Sequence, residues 1–200
     1  MQQVMEMHDK RMTTTMQKGE RRLPALGVAC LLGALMGSLC CSRMEVLQQL
    51  VQGQLEAQYT VWQYFVRDSI LLMVMFFTGF LRIGCAISLL TAAVKGFWLS
   101  TVATLGVLEL GNGGYVLSLV VWLLPGWLSI AALLLLGRQA MGWAAARSRF
   151  PAGRGKPLLP DGTYYITTIV CEAMILLAAI LAVQVTPGLW AAVKTFLPIA

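Results

Sequence analysis

The stretch that decides the fold is 69–108, SILLMVMFFTGFLRIGCAISLLTAAVKGFWLSTVATLGVL, in which Arg82 and Lys95 are the only charged residues. A single bilayer crossing needs about 20 apolar residues, so a run of this length must turn. Gly84, close to Arg82, suits such a turn because glycine relaxes the backbone and an arginine side chain can reach lipid headgroups. The run therefore predicts two membrane-spanning helices that meet near Arg82.

The composition of the whole chain indicates a membrane protein. Of its residues, 58% are hydrophobic and only 12% are charged, whereas about a quarter of the residues of a soluble domain are charged. We predict an all-α bundle of about five transmembrane helices within a membrane domain over 23–186. The predicted spans are 23–42, 61–81, 86–108, 115–137 and 164–186, and a turn at Gly111–Gly114 separates the third from the fourth.

Lysine and arginine residues in the short loops predict the orientation. The tail 1–22 and the loop 138–163 carry five each, and the segments 43–60 and 187–200 carry one each. This bias places the N-terminus and the 138–163 loop in the cytoplasm, and the segment 43–60 and the tail 187–200 outside. The net charge of +6 is then a topology signal, and no nucleic-acid partner is predicted because no basic face with interleaved aromatic residues is visible.

Lys95 and Glu172 are charged residues inside predicted spans, where a charge costs a few kcal/mol and usually faces protein or water. At about 1.5 Å per residue, both lie roughly 12–14 Å from the cytoplasmic surface. Matched depth predicts an ion pair that locks the bundle. Two alternatives remain open, a proton or ion pathway and a Lys95 side chain that snorkels to the surface.

The segment 44–59 is predicted to be an amphipathic helix outside the cytoplasm. Its apolar residues recur at helical spacing, and glutamine and glutamate occupy the opposite face. Two roles are open for this helix: it rests on the membrane surface, or it binds a partner. The two roles are compatible. The candidate docking residues are Leu47, Val51, Leu55 and Tyr59.

The residues needed for enzyme chemistry are scarce. The only histidine is His8, and the five cysteines form no C-x-x-C pair. We therefore predict no metal site, no cofactor and no enzymatic activity. Two packing features are visible: Gly33-x-x-x-Gly37 matches the motif for close helix contact, and Pro125 is predicted to kink the fourth span.

The order of these parts resembles the stage II sporulation protein M family of integral membrane proteins, over roughly residues 23–190. The motifs that carry the resemblance are Lys95-Gly96, the Leu-Leu-Pro125 that follows the Asn112 turn, and Thr186-Pro187. The chain departs from the family at Ala131, near which members often have a second proline. It also departs at 182–184, where members often have a glutamate.

The resemblance implies a non-enzymatic scaffold in the cell membrane of an endospore former. In that family the protein recruits the peptidoglycan-degrading stage II sporulation proteins D and P to the engulfing mother-cell membrane. Its partners here would be those proteins and membrane lipid, and an oligomer is possible. The alternative is a membrane subunit of a transporter or small-solute permease, with Lys95 and Glu172 at its core.

The predicted topology is tested with reporter fusions at Gly53 and Gly153. Because the Lys/Arg bias places these positions on opposite sides, an alkaline phosphatase fusion should be active only at Gly53, and a fluorescent-protein fusion only at Gly153. Two fusions that report the same side would contradict the five-span orientation.

Overall fold

In a computed structural model of the chain, residues 22–43, 60–110, 123–149 and 160–185 are described. They form five helices: α1 Arg22–Cys41, α2 Val61–Thr78, α3 Gly84–Leu110, α4 Leu123–Arg149 and α5 Gly162–Ile180, the last continued by a π-helical turn at Leu181–Val185. Each is long and apolar enough to cross a membrane. The predicted all-α fold is confirmed, and the chain is a multi-pass membrane protein.

Polar side chains cap the starts of two helices. A capping box begins α2, in which the Thr60 N–H donates to Gln63 Oε1 at 2.9 Å and the Gln63 N–H donates to Thr60 Oγ1. Asp161 caps α5 by accepting from the Tyr164 N–H at 3.1 Å. Between α2 and α3 the chain turns at residues 79–83, where Arg82 is exposed. Gly84, predicted to form the turn, is instead the buried first residue of α3.

The predicted loop 138–163 is wrong over residues 138–149, because helix α4 continues to Arg149. In the sequence-based prediction, Arg138 marks the end of the fourth span. Instead it lies on the exposed face of a helix whose other face buries Ala140 and Ala144 completely. Residues 138–149 contain no proline, so a charged residue on one face does not end the helix.

Consecutive helices run in opposite directions, so α1 and α3 are parallel. Their backbones approach closely at glycines from both sides. A Cβ on Gly33 would overlap the carbonyl oxygen of Ala93, and a Cβ on Gly96 would overlap that of Cys30. The Gly33–Gly37 motif therefore works as predicted, and Gly96 is its counterpart on α3.

Helix α4 packs against all four other helices and lies at the centre of the bundle. The largest side chains of the main core come from several helices and are fully or almost fully buried: Leu26, Leu72, Met75, Leu136, Tyr164 and Ile175. Many apolar side chains of α1, α2 and α5 are exposed, such as Leu31, Ile70 and Ile169. Such outward apolar faces suit contact with lipid.

At one end of the bundle lie several arginine side chains and hydrogen bonds that join the helix ends. Arg147 Nη1 donates to the carbonyl oxygen of Phe80, and the Tyr164 hydroxyl donates to that of Phe76 at 2.6 Å. The Arg22 guanidinium packs over Gly142, where a Cβ would lie 2.7 Å from Arg22 Nη1. This is the end that the sequence predicts to be cytoplasmic.

Several predictions fall on residues outside the described ranges. These are the tail up to residue 21, the turn at 111–114, the docking residues Leu47, Val51, Leu55 and Tyr59, the motif Thr186-Pro187 and the tail 187–200. Pro125 lies in the first described turn of α4, and the predicted kink stays a prediction.

The contact between α1 and α3 is tested with Gly96→Ala. The new methyl group would meet the backbone of Cys30, which cannot rotate away, so the helices must separate. Overpacking typically costs about 1–3 kcal/mol, and the thermal unfolding temperature in detergent should fall. The matched control is Gly27→Ala on α1, since a Cβ there meets nothing within 4 Å. Equal unfolding temperatures for both variants would contradict this packing.

Candidate functional site

Lys95 is buried in the bundle with only 6% of its surface exposed. Its ammonium group donates to Asp68 Oδ2 over 2.8 Å, and the Asp68 side chain is itself only 15% exposed. A buried charge is stable only when it is paired and hydrogen-bonded. The ion pair between α2 and α3 therefore explains why a lysine can stand in this apolar run.

Ser129 brings a third helix to the same carboxylate. Its hydroxyl donates to Asp68 Oδ2 over 2.7 Å, so this oxygen accepts from both Lys95 and Ser129. Charge-assisted hydrogen bonds of this length are among the stronger polar contacts in proteins. The three side chains fix α2, α3 and α4 against one another near the middle of the bundle.

Arg67 adds a second cation at the edge of this cluster. Its Nε lies 3.5 Å from Asp68 Oδ1, which is an ion pair and longer than an ordinary hydrogen bond. Its guanidinium carbon lies 5.0 Å from the centre of the Tyr64 ring, a cation–π distance. With its side chain 39% exposed, Arg67 faces outward, whereas Lys95 faces inward.

The predicted pair between Lys95 and Glu172 is wrong. Glu172 Oε2 instead accepts a hydrogen bond from the Ser69 hydroxyl over 2.7 Å. Glu172 Oε1 is buried and has no hydrogen-bond partner among the described residues. Asp68 and Ser69 are neighbours on α2 and point about 100° apart, so Asp68 faces α3 and α4 while Ser69 faces α5.

Sequence reasoning missed Asp68 because it was counted from the start of the second span, close to the surface. Counted from the turn, Asp68 lies about 15 Å before the end of α2 and Lys95 about 16 Å after the start of α3. In a helical hairpin, residues at equal distance from the turn lie at the same height. That symmetry is the signal in the sequence from which the partner could have been found.

The other predicted site residues do not join the cluster. Gly96 faces α1, away from Asp68, and lets that helix cover the region beside Lys95. Arg82 lies in the exposed turn at the end of the bundle. Pro125 lies on α4 one helical turn before Ser129.

The contacts of this cluster can hold three helices together. The cluster joins one carboxylate, one ammonium and one hydroxyl in direct contact. Within the described ranges, no group of three or more histidine, cysteine, aspartate or glutamate residues could hold a metal ion. The burial of Lys95 and Asp68 is thus accounted for by their contact with each other.

Comparison of the chain with protein-family models, with curated proteins and with solved structures gives no match. The resemblance to the stage II sporulation protein M family is therefore carried by the motifs quoted from the sequence. Lys95-Gly96 is the one of these motifs whose surroundings are described in full: Lys95 pairs with Asp68, and Gly96 packs on Cys30.

The ion pair is tested by a double-mutant cycle with Lys95→Met and Asp68→Asn. Asp68→Asn leaves Lys95 without an anion, and Lys95→Met leaves Asp68 with only the longer contact to Arg67. Loss of a partner costs about 3–5 kcal/mol in soluble proteins and often nearer 1 kcal/mol between membrane helices. The double variant should recover part of that loss in free energy of unfolding, measured by controlled denaturation in mixed micelles.

The control cycle combines Lys95→Met with Glu172→Gln. Because Glu172 bonds to Ser69 and not to Lys95, the two losses should add to within about 0.5 kcal/mol. Additive losses for Lys95 and Asp68, or coupling between Lys95 and Glu172, would contradict the assigned pair.

Proposed function

We propose that the chain is a non-enzymatic scaffold of the cell membrane, similar to the stage II sporulation protein M family. The observation that carries the proposal is the Asp68–Lys95–Ser129 cluster. Its charged side chains contact each other and hold three helices together. A fixed bundle of this kind suits the presentation of a segment to a partner outside the membrane.

The proposed topology has the N-terminus in the cytoplasm and the C-terminus outside. The arginine-bearing end of the bundle, with Arg22, Arg82 and Arg147, then faces the cytoplasm, in agreement with the positive-inside rule. The segment 44–59 follows α1 at the opposite end and lies outside. Its apolar residues are the proposed docking face.

The proposed partners are the stage II sporulation proteins D and P, as the resemblance implies. Recruitment of peptidoglycan-degrading enzymes would give the chain a role in engulfment although the chemistry belongs to the partners. The membrane would be the mother-cell membrane that engulfs the forespore.

A second candidate function is that of a transporter subunit, and one observation favours it. Glu172 Oε1 is buried and unpaired among the described residues, and Ser69, which binds the other oxygen, adjoins Asp68. Buried polar groups inside a membrane bundle are typical of ion or proton paths. Ser129→Cys in a cysteine-free background distinguishes the two functions: a water-filled path makes this thiol reactive with a charged methanethiosulfonate, and a dry scaffold does not.

The scaffold is tested by crosslinking and affinity capture from sporulating cells. We expect the proteins D and P to be captured with the wild-type chain, and several-fold less of them with the triple variant Leu47→Gln, Val51→Gln, Leu55→Gln at equal abundance in the membrane. The triple variant removes the apolar stripe that a partner would cover.

The matched control changes the polar face of the same segment, with Glu45→Gln, Gln49→Ala and Glu56→Gln. Capture should be unchanged, since these residues lie opposite the stripe. Equal capture by both triple variants would place the docking face elsewhere, and capture of neither protein by the wild-type chain would reject the proposed partners.

A further inference from the structure

The cluster around Asp68 carries one positive charge more than it can neutralise. Two cations, Arg67 and Lys95, lie within 4 Å of a single carboxylate. Lys95 and Ser129 both use Oδ2, so Arg67 is left with the long contact of 3.5 Å to Oδ1. The Arg67 guanidinium thus has no hydrogen-bond acceptor among the described residues.

The position of Arg67 limits what can supply that acceptor. It lies about 9 Å along the axis from the start of α2, within reach of headgroups for an arginine side chain. Ile70, one turn further along α2, is 59% exposed and belongs to the apolar outer face. Trp62, at the start of the helix, is 67% exposed, as expected of a tryptophan in the interfacial belt.

Tyr64 makes a cation–π contact with the Arg67 guanidinium. The guanidinium carbon lies 5.0 Å from the centre of the Tyr64 ring, and 39% of the Arg67 side chain remains exposed. The edge of a guanidinium matches two oxygens of a phosphate, and two parallel hydrogen bonds of this kind are strong and directional. A lipid phosphate would also neutralise the excess charge beside Asp68.

We propose that Arg67, held over Tyr64 and beside Asp68, binds the phosphate group of a phospholipid in the leaflet that surrounds the start of α2. The lipid would cover the exposed side of the Asp68–Lys95 ion pair and keep water from that pair. This assignment stands independently of the scaffold function.

The proposal is tested by native mass spectrometry of the delipidated full-length chain, titrated with phosphatidylglycerol in detergent. The wild-type chain should retain one lipid, and Arg67→Gln should bind it at least about tenfold more weakly, since charge-assisted hydrogen bonds are lost. Arg67→Lys keeps the charge without the planar edge and should lie between them.

Two exposed arginines provide the controls. Arg43 follows α1 at the same end of the bundle as the start of α2, and Arg82 lies at the opposite end. Arg43→Gln and Arg82→Gln should bind the lipid as the wild-type chain does. All variants should unfold at similar temperatures, because none removes the contacts of Asp68 with Lys95 and Ser129; if Arg67→Gln does not fold, the comparison with Arg67→Lys decides.

Two further probes separate the phosphate from the lipid chains and from free phosphate. Diacylglycerol, which lacks the phosphate, should not be retained, and inorganic phosphate should not displace phosphatidylglycerol. Equal retention by wild type and Arg67→Gln, retention of diacylglycerol, or displacement by inorganic phosphate would each overturn the proposal. Absence of any retained lipid would overturn it as well.

Discussion

The bundle depends on the rule that a charge in a low-dielectric interior needs an opposite charge in contact with it. Lys95 meets this requirement through Asp68, and Ser129 occupies the same carboxylate oxygen. Because each partner comes from a different helix, one contact fixes the heights of α2, α3 and α4 together. Apolar packing alone allows helices to slide by a turn at little cost, since lipid tails are as apolar as leucine.

The ion pair and the glycine contacts act on the same helix. Lys95 and Gly96 are adjacent, so α3 presents its charge to α2 on one side and its smallest residue to α1 on another. Polar residues continue this second face after Gly96, at Ser100 and Thr104. Ser100 donates to the Ala34 carbonyl oxygen and Thr104 to the Ser38 hydroxyl. A shift of α3 along its axis would break the ion pair and these contacts at once.

The sequence predicts those parts of the fold that depend on local properties. The length and apolar character of a segment determine whether it can cross a bilayer, so the helices and the turn at Arg82 were found. The end of α4 was missed because Arg138 was read as a boundary, although a helix can carry a charge on its exposed face. The partner of Lys95 was missed because it depends on which way a side chain points, and Asp68 and Ser69 differ in that by about 100°.

The strength of the polar contacts also differs between helices. Asp68 holds α3 through an ion pair and α4 through the Ser129 hydroxyl. Within the described ranges no ion pair joins α5 to α2; there the Tyr164 hydroxyl donates to Phe76 and the Ser69 hydroxyl donates to Glu172. A transport cycle that separated α2 from α3 would strand Asp68 or Lys95 in the bundle, and its substrate would have to supply that free energy. Motion of α5 would break fewer charged contacts, and it would uncover Glu172. A scaffold needs neither the separation of α2 from α3 nor the motion of α5. For a scaffold the ion pair therefore makes the bundle rigid and hinders no step of its function.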